Sequence, residues 1–196
     1  MPKLGMEPIR RSALVEATIH EVGLRGTLDV TVSQIAKRAG MSSALAHHYF
    51  GGKEQIFTAA MRHILGLYGA EVRGALSMAK TPRERVEAII RASFARTQFR
   101  NETVAAWLNF YVQALKSDEA SRLLHMYQRR LRSNLNHALR QMMPAAEARL
   151  VTRGLAAMID GLYLRQALRR DPLAGDAAID VMLSYLDGAL SKESAE

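Results

Sequence analysis

Apolar residues recur along this chain at intervals of three and four, and no stretch alternates with a period of two for long. That periodicity predicts helices and no sheet. The first helix is predicted from Pro8, with Ile9, Ala13, Ala17 and Val22 on its inner side and Gly23 placed to end it. Thr31 is positioned to cap a short helix over 32–39 that stops at Gly40. Ser42 caps the next, which runs to Tyr49 before the Gly51-Gly52 break, and a long helix follows over 53–78. The string Thr81-Pro82-Arg83-Glu84 places threonine at N-cap, proline at N1 and glutamate at N3. This is a capping box, and it opens a helix carrying Val86, Ile89, Ile90 and Phe94. Further helices are predicted over 103–115, 118–142, 144–168 and 176–190, the last two separated by Asp171-Pro172-Leu173-Ala174-Gly175. The fold class is therefore all-α, with about nine helices.

A chain of 196 residues, 48% hydrophobic and 23% charged, has the composition of an ordinary globular protein. It contains no cysteine, which excludes disulfides, thiolate metal sites and cysteine nucleophiles. The opening MPKLGMEPIRR lacks an apolar signal-peptide core, and no apolar run is long enough to span a membrane. A cytoplasmic protein is expected. The net charge of +8 favours a polyanionic partner. Residues 1–55 hold seven Lys or Arg against five Asp or Glu, so charge does not say which part of the chain meets that partner.

The most informative segment is TVSQIAKRAGMSSALAHHYFGGK, residues 31–53. Two short helices joined at a glycine able to adopt a left-handed backbone form a helix-turn-helix. Ile35, Ala36 and Ala39 can face inward from the first helix, and Ala46 and Phe50 from the second. Ser43, Leu45, His47, His48 and Tyr49 are left on the outer surface of the second helix. Serine and histidine can hydrogen-bond base edges or phosphate, and leucine can meet a thymine methyl. Thr31 and Ser42 stand at helix N-termini, where free N–H groups favour phosphate oxygens. Lys53 is placed as a point-charge phosphate clamp.

This segment, continued to Phe57, resembles the DNA-binding signature of the tetracycline-repressor (TetR) family at Thr31, Ile35, Ala36, Ala39, Gly40, Ser42, Tyr49, Phe50 and Lys53. The resemblance implies a repressor that works as an Ω-shaped dimer. Residues 1–52 would form a three-helix DNA-binding head, and 53–196 a helical ligand-binding and dimerisation body. The family often has tyrosine where this chain has His47, which implies a shorter, weaker or pH-sensitive contact there. The similarity extends to the opening MPKLGM…IRR, to Trp107-Leu108-Asn109-Phe110 and to LAAMIDGLYLRQAL over 155–168. These pieces resemble the family's choline-responsive repressors of glycine betaine synthesis genes. They imply double-stranded operator DNA and choline as partners, relief of repression by choline, and no cofactor.

A trimethylammonium group needs aromatic faces more than hydrogen bonds. Trp107, Phe110 and Tyr111 fall at i, i+3 and i+4, and Asp160 and Tyr163 are also three apart. Both sets admit a second reading. The stripe can be plain core, and Asp160 can pair with Arg165 or with an arginine of a second subunit. A dimer is expected through the last two helices, using Ala156, Ala157, Ile159, Ile179, Met182, Leu183 and Leu186. The chain has no HExxH, phosphate loop or nucleophile elbow, and adjacent His47 and His48 cannot share one ion on a helix. No catalytic or metal site is expected. The alternatives are a repressor of this family answering to a different inducer, and a helical carrier of small cations that does not bind DNA.

Overall fold

The computed structural model describes residues 5–168 and 174–191, and among these it is built of nine helices with no strand. They are α1 (Met6–Arg25), α2 (Val32–Arg38), α3 (Ser43–Phe50), α4 (Lys53–Met78), α5 (Pro82–Ser93), α6 (Asn101–Ala114), α7 (Asp118–Leu139), α8 (Ala145–Leu168) and α9 (Gly175–Ser191). The all-α class holds. The predicted turn at Asp171-Pro172-Leu173 and the first four residues lie outside the described residues. No described helix is long and apolar enough to cross a membrane. The chain divides into two compact units, residues 1–65 with 101–121, and residues 66–100 with 122–196. α4 runs unbroken through the division at Leu65 and Gly66.

In the first unit α1 packs on α2 and α6, and α2 packs on α3. Leu14, Val22, Ile35, Ala36, Ala46, Ile56 and Phe110 are all but inaccessible to solvent and form its core. Two expectations for α1 fail. Gly23 does not end the helix, which continues to Arg25 and is capped by Gly26 at φ 64°. Gly23 is instead a point of close helix crossing: a Cβ there would stand 2.5 Å from Glu102 Cβ and 2.6 Å from its Cα. Ile9 does not face inward either and is 61% exposed, because the buried face of α1 begins at Leu14.

In the second unit α9 packs on both α5 and α8. Val86, Ile89, Ile90, Leu135, Leu139 and Leu155 form its core. Four residues expected at a subunit contact, Ile159, Ile179, Met182 and Leu186, are buried within this unit. Apolar residues occur on more than one side of α8 and α9, and periodicity does not say which side the chain itself covers. The large apolar residues left exposed are Leu150, Leu164 and Leu168 on α8, and Val181 and Tyr185 on α9, and Ala157 of the expected contact is exposed with them.

Candidate functional site

α2 and α3 are built from local signals. Thr31 Oγ1 accepts the Gln34 N–H at 3.2 Å, and Gln34 Oε1 accepts the Thr31 N–H at 2.8 Å, completing a capping box. Ser42 Oγ accepts the Leu45 N–H at 3.2 Å. Each hydroxyl thereby fills one acceptor site and keeps its own hydrogen to donate outward. Between the helices Gly40 takes φ 68°, the left-handed conformation the turn requires. Ile35, Ala36 and Ala46 are buried, whereas Ala39 and Phe50 are only half-buried.

On α3, His47 and His48 are exposed and Ser43, Leu45 and Tyr49 half-exposed, so Ala46 is its one fully buried residue. Lys53, the first residue of α4, is exposed. His47 Nδ1 lies 2.8 Å from the Gly51 carbonyl oxygen. A carbonyl only accepts, so Nδ1 carries the hydrogen in this contact and Nε2 is turned to its other role. In neutral His47, Nε2 is then an acceptor, suited to the amino group of adenine or cytosine in the major groove. An α-helix, about 10–12 Å across with its side chains, fits that groove, which is about 12 Å wide.

Sequence reasoning passed over what holds α3 in place. Arg11 Nη1 donates to the Tyr49 carbonyl at 2.6 Å, and its guanidinium lies 4.4 Å from the centroid of the Phe50 ring. Arg10 Nη1 donates to the Tyr49 hydroxyl at 3.3 Å. Both arginines sit 38 or more positions from their partners, beyond the reach of any helical period. The adjacent Arg10-Arg11 pair was visible only as a piece of similarity. A second fastening joins α1 to α2: the buried Glu21 carboxylate pairs with Arg38, and with Arg25 at 3.4 Å. The Arg38 hydrogen bond, helped by Arg25, holds its pKa below the usual 4.5 against the opposing effect of burial.

The aromatic candidates fall in different units. In the first unit Trp107 and Phe110 are buried and Tyr111 half-buried, with both neighbouring rings 5.9 Å from Trp107. In the second unit Tyr163 is buried, and its hydroxyl donates to the Ser93 carbonyl at 2.6 Å. Asp160, three residues earlier on α8, is half-buried. Burial pushes the Tyr163 hydroxyl far above its usual range, with Tyr68, Glu71 and Asp160 adding to the rise. Tyr68, bonded to Ser93 Oγ at 3.1 Å, is pushed up to about 12, again by burial first. Sequence reasoning did not single out Phe94 or Phe99 as partners of Tyr163, yet their rings lie 6.0 and 5.3 Å from it. Among the described residues no group of three His, Cys, Asp or Glu side chains is placed to hold a metal ion.

The pattern of the bacterial tetR regulatory proteins matches residues 14–60, and that of the BetI-type transcriptional repressor C-terminal region matches residues 82–191. The HTH-type transcriptional regulator BetI of Brucella melitensis biotype 2 is 52% identical over 197 residues, which cover 100% of both chains. A transcriptional regulator from Pseudomonas aeruginosa PAO1 has a similar structure, with TM-score 0.80 and 25% identity over 96% of this chain and 93% of that one. A regulator from Saccharomonospora viridis, solved in complex with choline, shares the fold at TM-score 0.78 and 18% identity over 90% and 95% of the two chains.

Proposed function

Because the chain belongs to the TetR family of DNA-binding transcriptional repressors and carries the family's BetI-type C-terminal region, we propose that it represses genes of glycine betaine synthesis and choline uptake and is relieved by choline. The observation that carries the DNA-binding half is α3. It is held from behind by Arg11 and turns Ser43, Leu45, His47 and His48 toward solvent. In this reading residues 1–52 read DNA and 53–196 bind the effector and the second subunit. His47 and Ser43 address base edges, Leu45 meets a thymine methyl, and His48 serves either base or backbone. Thr31, Ser42, Tyr49 and Lys53 contact phosphate.

One recognition helix reads few bases, so a two-fold dimer on a palindromic operator supplies the specificity. The exposed apolar stripes of α8 and α9 suit that contact. The effector reading rests on the chain-wide resemblance to choline-responsive repressors and on aromatic and acidic side chains of the right chemistry. Those are Trp107, Phe110 and Tyr111 in one unit, and Asp160 and Tyr163 in the other. The S. viridis regulator adds that a protein of this fold accommodates choline.

The test is a fluorescence-anisotropy titration of the protein onto DNA from upstream of its own gene, with and without choline. Tight binding that millimolar choline weakens by about 5- to 150-fold, a typical allosteric coupling, is expected. Linkage requires operator DNA to weaken choline binding by the same factor. Tight binding indifferent to choline, with no change in melting temperature, would leave a TetR-family repressor answering to another inducer.

A further inference from the structure

The second unit contains an aromatic arrangement that helical spacing could not disclose, because it joins the turn after α5 to the distant helix α8. Phe94 caps the end of α5, Phe99 lies in the turn that follows, and Tyr163 is on α8. The Phe94 and Phe99 rings are 5.1 Å apart at 83°, and the Phe99 and Tyr163 rings 5.3 Å apart at 68°. The Phe94 and Tyr163 rings are 6.0 Å apart at 47°, so the three form a corner rather than a stack. All three are at most 6% exposed, so cation–π attraction there is little weakened by water.

Asp160 stands one turn before Tyr163 on α8, and the charges of Glu71 and Asp160 both help to raise the Tyr163 hydroxyl's pKa. Glu71 also accepts a hydrogen bond from Thr97 Oγ1 at 3.2 Å. It lines in addition an open groove of about 510 Å³ between α4 and α5, whose charged walls are Glu71, Glu84, Glu87 and Arg91. A cation in such a place keeps the compensating charge that burial demands. The corner holds one further unmet requirement. Gln98 is 2% exposed, and its Oε1 has no hydrogen-bond donor among the described residues. Its backbone carbonyl lies 3.4 Å from the Tyr163 hydroxyl, which places the residue at the corner. A buried acceptor without a donor is costly and calls for one.

We propose that the corner of Phe94, Phe99 and Tyr163 receives the quaternary ammonium group of choline, edged by Glu71 and Asp160, and that Gln98 Oε1 accepts the hydrogen of its hydroxyl. The proposal rests on the choline reading above and locates the site that reading leaves open. It selects Asp160 and Tyr163 over the stripe around Trp107. The three rings now touch one another, so the ligand enters by parting them and shifts the 94–100 turn against α8. That gives choline different contacts in two arrangements of the unit, the condition for controlling anything at all.

The test is calorimetric titration of the full chain and its variants with choline, tetramethylammonium, and 3,3-dimethylbutan-1-ol, the uncharged isostere of choline. The unsubstituted protein is expected to bind choline at least tenfold more tightly than either other compound. Phe99→Leu, which keeps an apolar side chain but loses the ring, should weaken choline and tetramethylammonium alike by tenfold or more. Gln98→Leu should abolish the preference for choline over tetramethylammonium and leave tetramethylammonium affinity unchanged. Should a variant fail to fold, the unsubstituted protein still decides: the N-methyl protons should show nuclear Overhauser contacts to phenylalanine and tyrosine ring protons of this corner. Unchanged affinities in both variants, or contacts to the Trp107 indole alone, would overturn the site while the choline reading stands. No choline binding by the unsubstituted protein would overturn both.

Discussion

Replacing Arg11 by alanine removes two attachments of α3 at once, the hydrogen bond to the Tyr49 carbonyl and the cation–π contact with Phe50. A half-exposed cation–π pair contributes about 0.5–1 kcal/mol and a charged hydrogen bond about 1.5–3. Arg11→Ala is therefore expected to destabilise the protein by about 2–4 kcal/mol, lowering the melting temperature by several degrees, and to weaken operator binding by roughly tenfold as α3 loses its support. Anisotropy and calorimetry on one sample check the two numbers together. For the exposed residues the expectations differ in kind. Lys53→Ala should weaken binding to every DNA and reduce the salt slope by about one. His47→Ala should relax discrimination at one base pair by about 1–3 kcal/mol. Equal losses on operator and random DNA in both variants would contradict that division. Glu21 ties pH to the head. Its pKa is lower folded than unfolded, so its contribution is complete above the ordinary value of 4.5 and fades as pH falls through the depressed folded value. Thermal melts from pH 7 to pH 3.5 should show a loss at the acid end that Glu21→Gln lacks.

At the scale of helices, the caps were legible and the crossings were not. Thr31, Ser42 and Thr81 act within three residues of their own chain, and all three cap as their spacing predicts. Gly23 shows the opposite case. A glycine late in a helix reads as a stop, but here the demand comes from Glu102 on α6. Gly23→Ala is expected to destabilise the protein by about 1–3 kcal/mol through overpacking, although alanine is the better helix former. Denaturant unfolding measures the difference. A gain in stability would mean that α6 moves aside at no cost.

For the whole molecule, the dimer proposed above draws on exposed residues of α8 and α9. Leu164 is 48% and Val181 49% exposed, whereas Met182 and Leu186 are fully buried. Leu164→Asp with Val181→Asp should yield a folded monomer by sedimentation at micromolar concentration, with operator affinity reduced at least a hundredfold. A variant that remains dimeric would assign the contact elsewhere. Met182→Asp should instead unfold the chain, because it places a charge in the interior.

Periodicity and caps were enough to read the all-α class, the helix-turn-helix at Gly40 and the exposure of His47 and His48 on α3, because each depends on residues within a turn or two of one another. The tetR and BetI-type matches show that this local pattern also carries the family. Arg11 behind Tyr49, Glu21 between two arginines, Gly23 against Glu102, and Phe94, Phe99 and Tyr163 in one corner were settled by folding. Most of these partners lie on separate helices, Arg25 beside Glu21 and Phe99 beside Phe94 being the local pairs, and nothing in a 3.6-residue period records which helix faces which. The same holds for α8 and α9, where Ile159 and Leu164 are both apolar and packing alone buries the first and exposes the second.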